Sequence, residues 1–214
     1  MSWYYNYIFP ILLNDCKNCL FSRTDIEKAA KCMVKVIDIY KLVGVAAPQI
    51  GLPWQMFAVR VTKEQVDAME PELVVKHKIE PVPLTILVNP NLRVISSENQ
   101  MVEAQEGCAS MMGFSCPVLR HREVEVTGYN VDGSKVAPWR VRDMTARILQ
   151  HEYDHLQGTM FVDRMMSSQK LRFDYWSAIN QKGGNFKLSY IHNAVQNLKR
   201  NRKFRLFRYK DRDS

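Results

Sequence analysis

The chain has 214 residues, of which 46% are apolar and 24% charged, with nine glycines and nine prolines. That balance excludes disorder throughout and excludes collagen-like or low-complexity classes, and the length suits one domain with its own core, or one domain and a tail. The net charge of +8 is uneven: eight basic residues from Lys199 to Arg212 face only Asp211 and Asp213, so residues 199–214 carry +6 and the other 198 residues +2.

No apolar run approaches the roughly 20 residues of a membrane helix, so no membrane partner is expected. The N-terminus, MSWYYNYIFP, has no basic residue before Lys17 and reads as neither a secretory signal nor an Arg-rich transit peptide. Five cysteines, at 16, 19, 32, 108 and 116, cannot all pair internally, which favours a reducing compartment.

Along the chain, Ile26, Ala29, Ala30, Met33, Val34 and Ile37 recur at helical spacing over 25–42, with Thr24 as the predicted N-cap and Glu27 three residues later. Cys32 falls on the apolar face and is expected in the core. Met56 to Val61 reads as a strand. Residues 62–83 hold charges and three prolines and read as a partly helical surface excursion. Thr85 to Val88 and Leu92 to Ile95 read as two strands around an Asn89-Pro90 turn. Glu123 to Tyr129 alternates, and Val131-Asp132-Gly133-Ser134 is a hairpin signal. Asp143 to Leu156 is helical, with Asp143 as the predicted cap and Gly158 at the C-terminal stop. The pattern implies an α+β fold with antiparallel sheets.

The sharpest feature is His151-Glu152-Tyr153-Asp154-His155. On a helix, residues i and i+4 share a face, so both imidazoles can reach one ion, and Glu152 stands one step round, near a water on that ion. A hydrolytic site needs a third protein ligand and an open position. No glutamate follows Glu152, and the position six residues after His155 is Phe161, so the two familiar metalloprotease completions fail. Asp163 lacks a supporting motif. Upstream, Cys108 in Glu106-Gly107-Cys108-Ala109-Ser110 offers a thiolate that a cation would keep deprotonated. The plain alternative is a buried cysteine and a surface helix.

Three stretches in order, Leu42 to Gly51, Glu106 to Ser110 and Gln150 to Gly158, resemble the motifs of the peptide deformylase family. Pro83 to Pro90 and Ala146 to Gln150 look most like its organellar members. The resemblance implies antiparallel β-sheets around a central helix that carries the two histidines. It divides the chain into an N-terminal segment (1–24), a catalytic domain (25–166) and a C-terminal extension with a basic tail (167–214). It implies removal of the N-formyl group from the initiator methionine of nascent peptides, with Cys108, His151 and His155 as metal ligands and Glu152 as acid/base. Gln49 and the Ala109 N–H would stabilise the oxyanion. Gly44, Val45, Glu106, Gly107 and Ile148 would contact the substrate. One divalent ion is implied, natively ferrous iron, with zinc, cobalt or nickel as substitutes. A mitochondrial location is implied first, with plastid or bacterial cytoplasm as alternatives.

The chain departs from the family pattern at Leu42, where a glycine is usual, at Ala109, where leucine is common, and over Pro117 to Arg120, where the family has Val-Pro-Arg. Those departures, with the basic tail, leave a second expectation: a paralogue with weakened catalysis that serves as a ribosome- or peptide-binding module. The tail interleaves Phe204, Leu206, Phe207 and Tyr209 with its cations and reads either as solvated chain or as a ribosomal RNA contact. Cys16 and Cys19 lack a second pair and read as coincidence, and His77, His121 and His192 lack partners at ligand spacing.

Overall fold

The computed structural model describes residues 22–174 apart from 96, 98 and 99. The chain divides into units 1–174 and 175–214, and the described residues all lie in the first. Cys16, Cys19, His192 and the basic tail lie outside them.

Helix α1 spans Arg23–Tyr40. Its N-cap is Ser22, not Thr24: the Ser22 hydroxyl accepts from the Asp25 N–H, at 3.3 Å. Ala29, Ala30, Met33 and Ile37 form the buried stripe. Cys32 sits one step round from that stripe and is only half-buried, which corrects its expected core position. The helix stops at Lys41, held in the left-handed region at φ 55°.

A short strand β1 (Gly44–Ala46) follows, then a 3₁₀ turn over Ala47–Ile50 closed by Gly51 at φ 85°. Strand β2 (Met56–Val61) pairs antiparallel with β1 and with β3 (Val82–Val94). Between β2 and β3 lie two short helices, α2 (Lys63–Asp67) and α3 (Pro71–His77). Asn89-Pro90 is not a turn between two strands. β3 runs straight through it with a bulge: Asn89 takes φ 47°, the register against β6 shifts between Val88 and Asn91, and the Asn89 N–H donates to the Gln55 carbonyl at 2.7 Å. A single strand can therefore pair with β2 over its first half and with β6 over its second.

β4 (Met101–Gly107), β5 (Phe114–His121) and β8 (Arg172–Phe173) make a three-stranded antiparallel sheet. The small sheet therefore takes in residues 172–173, beyond the expected domain end at 166. β6 (Glu123–Tyr129) and β7 (Lys135–Arg142) complete the larger sheet, in the order β1-β2-β3-β6-β7. Helix α4 spans Asp143–Leu156. Asp143 is its first residue rather than its cap, at φ 53°, and its carboxylate accepts from Arg122 Nε at 2.9 Å.

β2 shows why its sequence is apolar without alternation. Phe57 and Val59 face a core shared with Leu87, Val124, Val126 and, from α4, Ala146 and Leu149. Met56 and Ala58 face a second core with Met33 and Ile37 of α1. A strand covered by a helix on each face must be apolar on both. α4 also meets β5 of the small sheet, where Cys116, Val118 and Phe161 form a third cluster. The result is the expected α+β arrangement, with antiparallel sheets around the helix that carries His151 and His155. No described helix is long and apolar enough to cross a membrane.

Candidate metal centre and active site

Two elements bring the expected ligands together. α4 presents His151 and His155 on one face, with ring centroids 4.8 Å apart and planes at 88°. Cys108 follows the end of β4 in extended conformation and precedes a 3₁₀ turn over Ala109–Met111. The ligand atoms of Cys108, His151 and His155 all lie within 4.8 Å of one another, and Cys108 Sγ is 3.3 Å from His155 Nε2. Burial opposes ionisation of the thiol, but the two imidazoles outweigh it and hold Cys108 well below its usual range. Burial likewise opposes charging of His151, and hydrogen bonds with Cys108 and Glu106 reverse it, so His151 titrates well above its usual value. A thiolate facing imidazole nitrogens is a donor set for a borderline-soft divalent cation.

Glu152 is buried beside this trio at 4% exposure. Burial raises its carboxyl to about 7, although the neighbouring histidines pull the other way. Its Oε2 and His155 Nδ1 are buried with no hydrogen-bond partner among the described residues. An orphaned carboxylate oxygen next to three converging ligand atoms fits a site that takes an ion with its water. Gly44 passes directly over this carboxylate. A Cβ there would collide with Glu152 Oε1 and lie 2.8 Å from Cδ and Cγ, so only glycine leaves the side chain in place.

Gln49 is positioned by its own turn: its Oε1 accepts from the Ala46 N–H at 2.7 Å. That frees Nε2 to donate to Ser110 Oγ at 3.0 Å and toward Cys108 Sγ at 3.5 Å. Ala109, directly after Cys108, is exposed at the start of the 3₁₀ turn, where backbone N–H groups have no partner inside the turn. Val45 is buried in β1, and Gly107 is exposed at the end of β4. Ile148 lies on α4 one turn before Glu152, 9% exposed at the rim of the larger core.

Glu106 is buried beside the candidate ligands and engaged by protein partners. Its carboxylate accepts from Arg120 Nε and Nη2, both at 3.0 Å, and from Arg147, and lies 3.1 Å from His151 Nδ1. Burial alone would raise this carboxyl; the His151 and Arg120 hydrogen bonds and the Arg120 charge outweigh it and hold it at about 2. Arg120 also reaches Asp154, which accepts from Arg164 Nη2 at 2.9 Å. This buried network was not anticipated, although it left a signal. Arg147 is four residues before His151, hence on the ligand face of α4, and an arginine inside a core needs a carboxylate.

A family model of polypeptide deformylases matches residues 2–171. A mitochondrial peptide deformylase of Homo sapiens is 35% identical over 156 residues, covering 73% of this chain and 63% of that protein. A chloroplastic peptide deformylase 1A of Solanum lycopersicum is 39% identical over 144 residues, covering 65% and 50%. This chain thus spans half to two thirds of the length of those curated relatives. A solved structure of a probable peptide deformylase from the Synechococcus phage S-SSM7 superposes with a TM-score of 0.59 at 28% identity, covering 72% of this chain and 93% of that one. The fold and the Cys-His-His grouping define an α+β protein with a candidate metal centre. The chain belongs to the polypeptide deformylase family.

Proposed function

We propose that this chain is a metal-dependent hydrolase that removes the N-formyl group from the initiator methionine of nascent polypeptides. The observation that carries this reading is the convergence of Cys108, His151 and His155 beside a buried, unpartnered Glu152 oxygen. Cys108, His151 and His155 would hold one divalent ion, natively ferrous, with zinc, cobalt or nickel able to replace it. When bound, such an ion activates a water and polarises the formyl carbonyl.

The chain's own residues supply the rest. Glu152 accepts a proton from the attacking water. As the C–N bond breaks, Glu152 returns that proton to the departing amine, giving formate and a free N-terminus. Gln49 Nε2 and the Ala109 N–H donate to the carbonyl oxygen as negative charge develops there. Gly44, Val45 and Gly107 would line the substrate backbone, and Ile148 would border the methionine pocket. Glu106 acts through His151 rather than through the substrate.

Formate release from formyl-Met-Ala-Ser by iron-loaded protein under anaerobic conditions tests this reading. Glu152→Ala should abolish turnover and keep the metal, and His155→Ala should lose the metal. Full activity in Glu152→Ala would remove Glu152 from the mechanism.

The mitochondrial and chloroplastic relatives support an organellar location, mitochondrial first. Formylated chains emerge at ribosomes, and the basic, aromatic tail at 199–212 has the composition of an RNA contact. Truncation at Asn197 should weaken co-sedimentation with ribosomes and flatten its salt dependence; unchanged binding would reject the contact.

A further inference from the structure

Arg147 sits one turn before His151 on α4, with its side chain 7% exposed. Its Nη1 donates to Glu106 Oε1 and, at 3.0 Å, to the Val118 carbonyl of β5. Its Nη2 donates to the Val102 carbonyl of β4. Glu106 is thereby fully engaged. Oε1 takes Arg120 Nε and Arg147; Oε2 takes Arg120 Nη2 and faces His151 Nδ1. A carboxylate offers about four lone-pair directions, and all four are assigned.

The two guanidiniums are not equivalent. Arg120 approaches from β5 and divides its donors between Glu106 and Asp154. Arg147 comes from the same helix as His151, so it fixes the carboxylate relative to the ring that the carboxylate orients. With Arg120 alone, Oε1 would lose one of its two donors, and the carboxylate would be held only by a guanidinium that also reaches Asp154 and could shift with it. The His151 ring would follow such a shift, because Nδ1 makes no other hydrogen bond among the described residues. Ring orientation decides whether Nε2 faces Cys108, and partners behind a metal ligand commonly alter metal retention by about 10- to 100-fold.

We propose that Arg147 is a positioning residue for the metal centre: anchored to β4 and β5, it pins Glu106 Oε1 so that Oε2 sets the orientation of His151. This rests on the reading of Cys108, His151 and His155 as ligands. A purely structural clamp between α4 and the small sheet would share the contacts but not the consequence, since its loss would lower the melting temperature and leave the ligands of the folded protein unchanged.

The test uses the full chain loaded with cobalt, comparing wild type with Arg147→Gln and Arg147→Lys. Glutamine keeps a donor for the strand carbonyls and removes the charge; lysine keeps the charge. The readouts are the visible ligand-field spectrum and the rate of cobalt release into excess chelator. Both are measured on the loaded protein, so a variant that folds only with its ion still reports. Arg147→Gln should release cobalt at least about 10-fold faster, with an altered spectrum. Arg147→Lys should stay within about threefold of wild type with an unaltered spectrum. A wild-type spectrum and release rate in Arg147→Gln would overturn the proposal, as would Arg147→Lys releasing as fast as Arg147→Gln. Failure of the wild type to take up cobalt would overturn the ligand reading instead.

Discussion

At the scale of single residues, the tightest constraint is the approach of Gly44 to Glu152. The Glu152 carboxylate occupies the space that any side chain at position 44 would need. Gly44→Ala should therefore move the carboxylate rather than the strand, since β1 is pinned by its pairing from Gly44↔Val59 to Ala46↔Phe57. A displacement of about 1 Å at a reacting group can cost on the order of 100-fold in rate. The expected outcome is a fall in kcat of that size, with a melting temperature lowered by only a few degrees. A loss confined to KM would place the role of Gly44 in substrate contact alone. The shared face of His151 and His155 was legible from their i, i+4 spacing, and the grouping of Cys108 with them came from the family resemblance; the structure brings the three candidate ligand atoms within 4.8 Å of one another. The role of Glu106 was not legible. Its position two residues before Cys108, in chain that stays extended past the end of β4, places both on one face, but which of its neighbours it meets depends on β5 and α4 folding against it.

At the scale of elements, charge ties the pieces together. Glu106 of β4, Arg120 of β5, and Arg147 and Asp154 of α4 form one buried chain of ion pairs, which ends at Arg164 beyond the helix. Removing one partner from such a chain leaves another charge stranded. The Glu106 carboxyl is held at about 2 against an ordinary 4.5. A depressed carboxyl stabilises the fold fully above the unfolded value and loses that contribution as pH falls from about 4.5 through about 2. At 1.36 kcal/mol per pKa unit the loss is about 3 kcal/mol. Chemical denaturation between pH 6 and pH 3 should show about 2 kcal/mol of it, the share lost between pH 4.5 and pH 3, and Glu106→Gln should flatten that part of the profile. An unchanged slope in the variant would assign acid sensitivity to other groups.

Helix and strand boundaries show the limit of local reading. Thr24 and Asp143 both have cap chemistry in sequence, yet Ser22 caps α1 and Asp143 turns to Arg122. Local signals nominate several residues within one turn, and the tertiary partner decides among them. Asn89-Pro90 reads as a turn for the same reason. The bulge that replaces it exists only because β3 has to serve β2 and β6 in succession.

At the scale of the whole molecule, the larger sheet is a wall with a helix on each side, and β2 is its most enclosed strand. Phe57 is fully buried against α4. Phe57→Ala should cost about 3–5 kcal/mol, which corresponds to a fall of roughly 10 °C in melting temperature for a domain of this size. A loss under about 1 kcal/mol would mean that α4 can settle into the vacated space. The mixed class and antiparallel pairing were legible from hairpin and helix signals. The division of the strands into two sheets was not, because β4 and β6 alternate alike and only the path of β5 separates them.

The hairpin between β6 and β7 closes at Gly133, with φ 87° and nothing within 4 Å of where a Cβ would stand, while Asp132 and Ser134 bond to each other across it. In the sheet order, β6 stands three strands from β1, a separation of about 14 Å at ordinary strand spacing. That bend is thus a natural place to insert a fluorophore or an affinity handle, where the chain has open space beside it and the strand that carries Gly44 is left untouched.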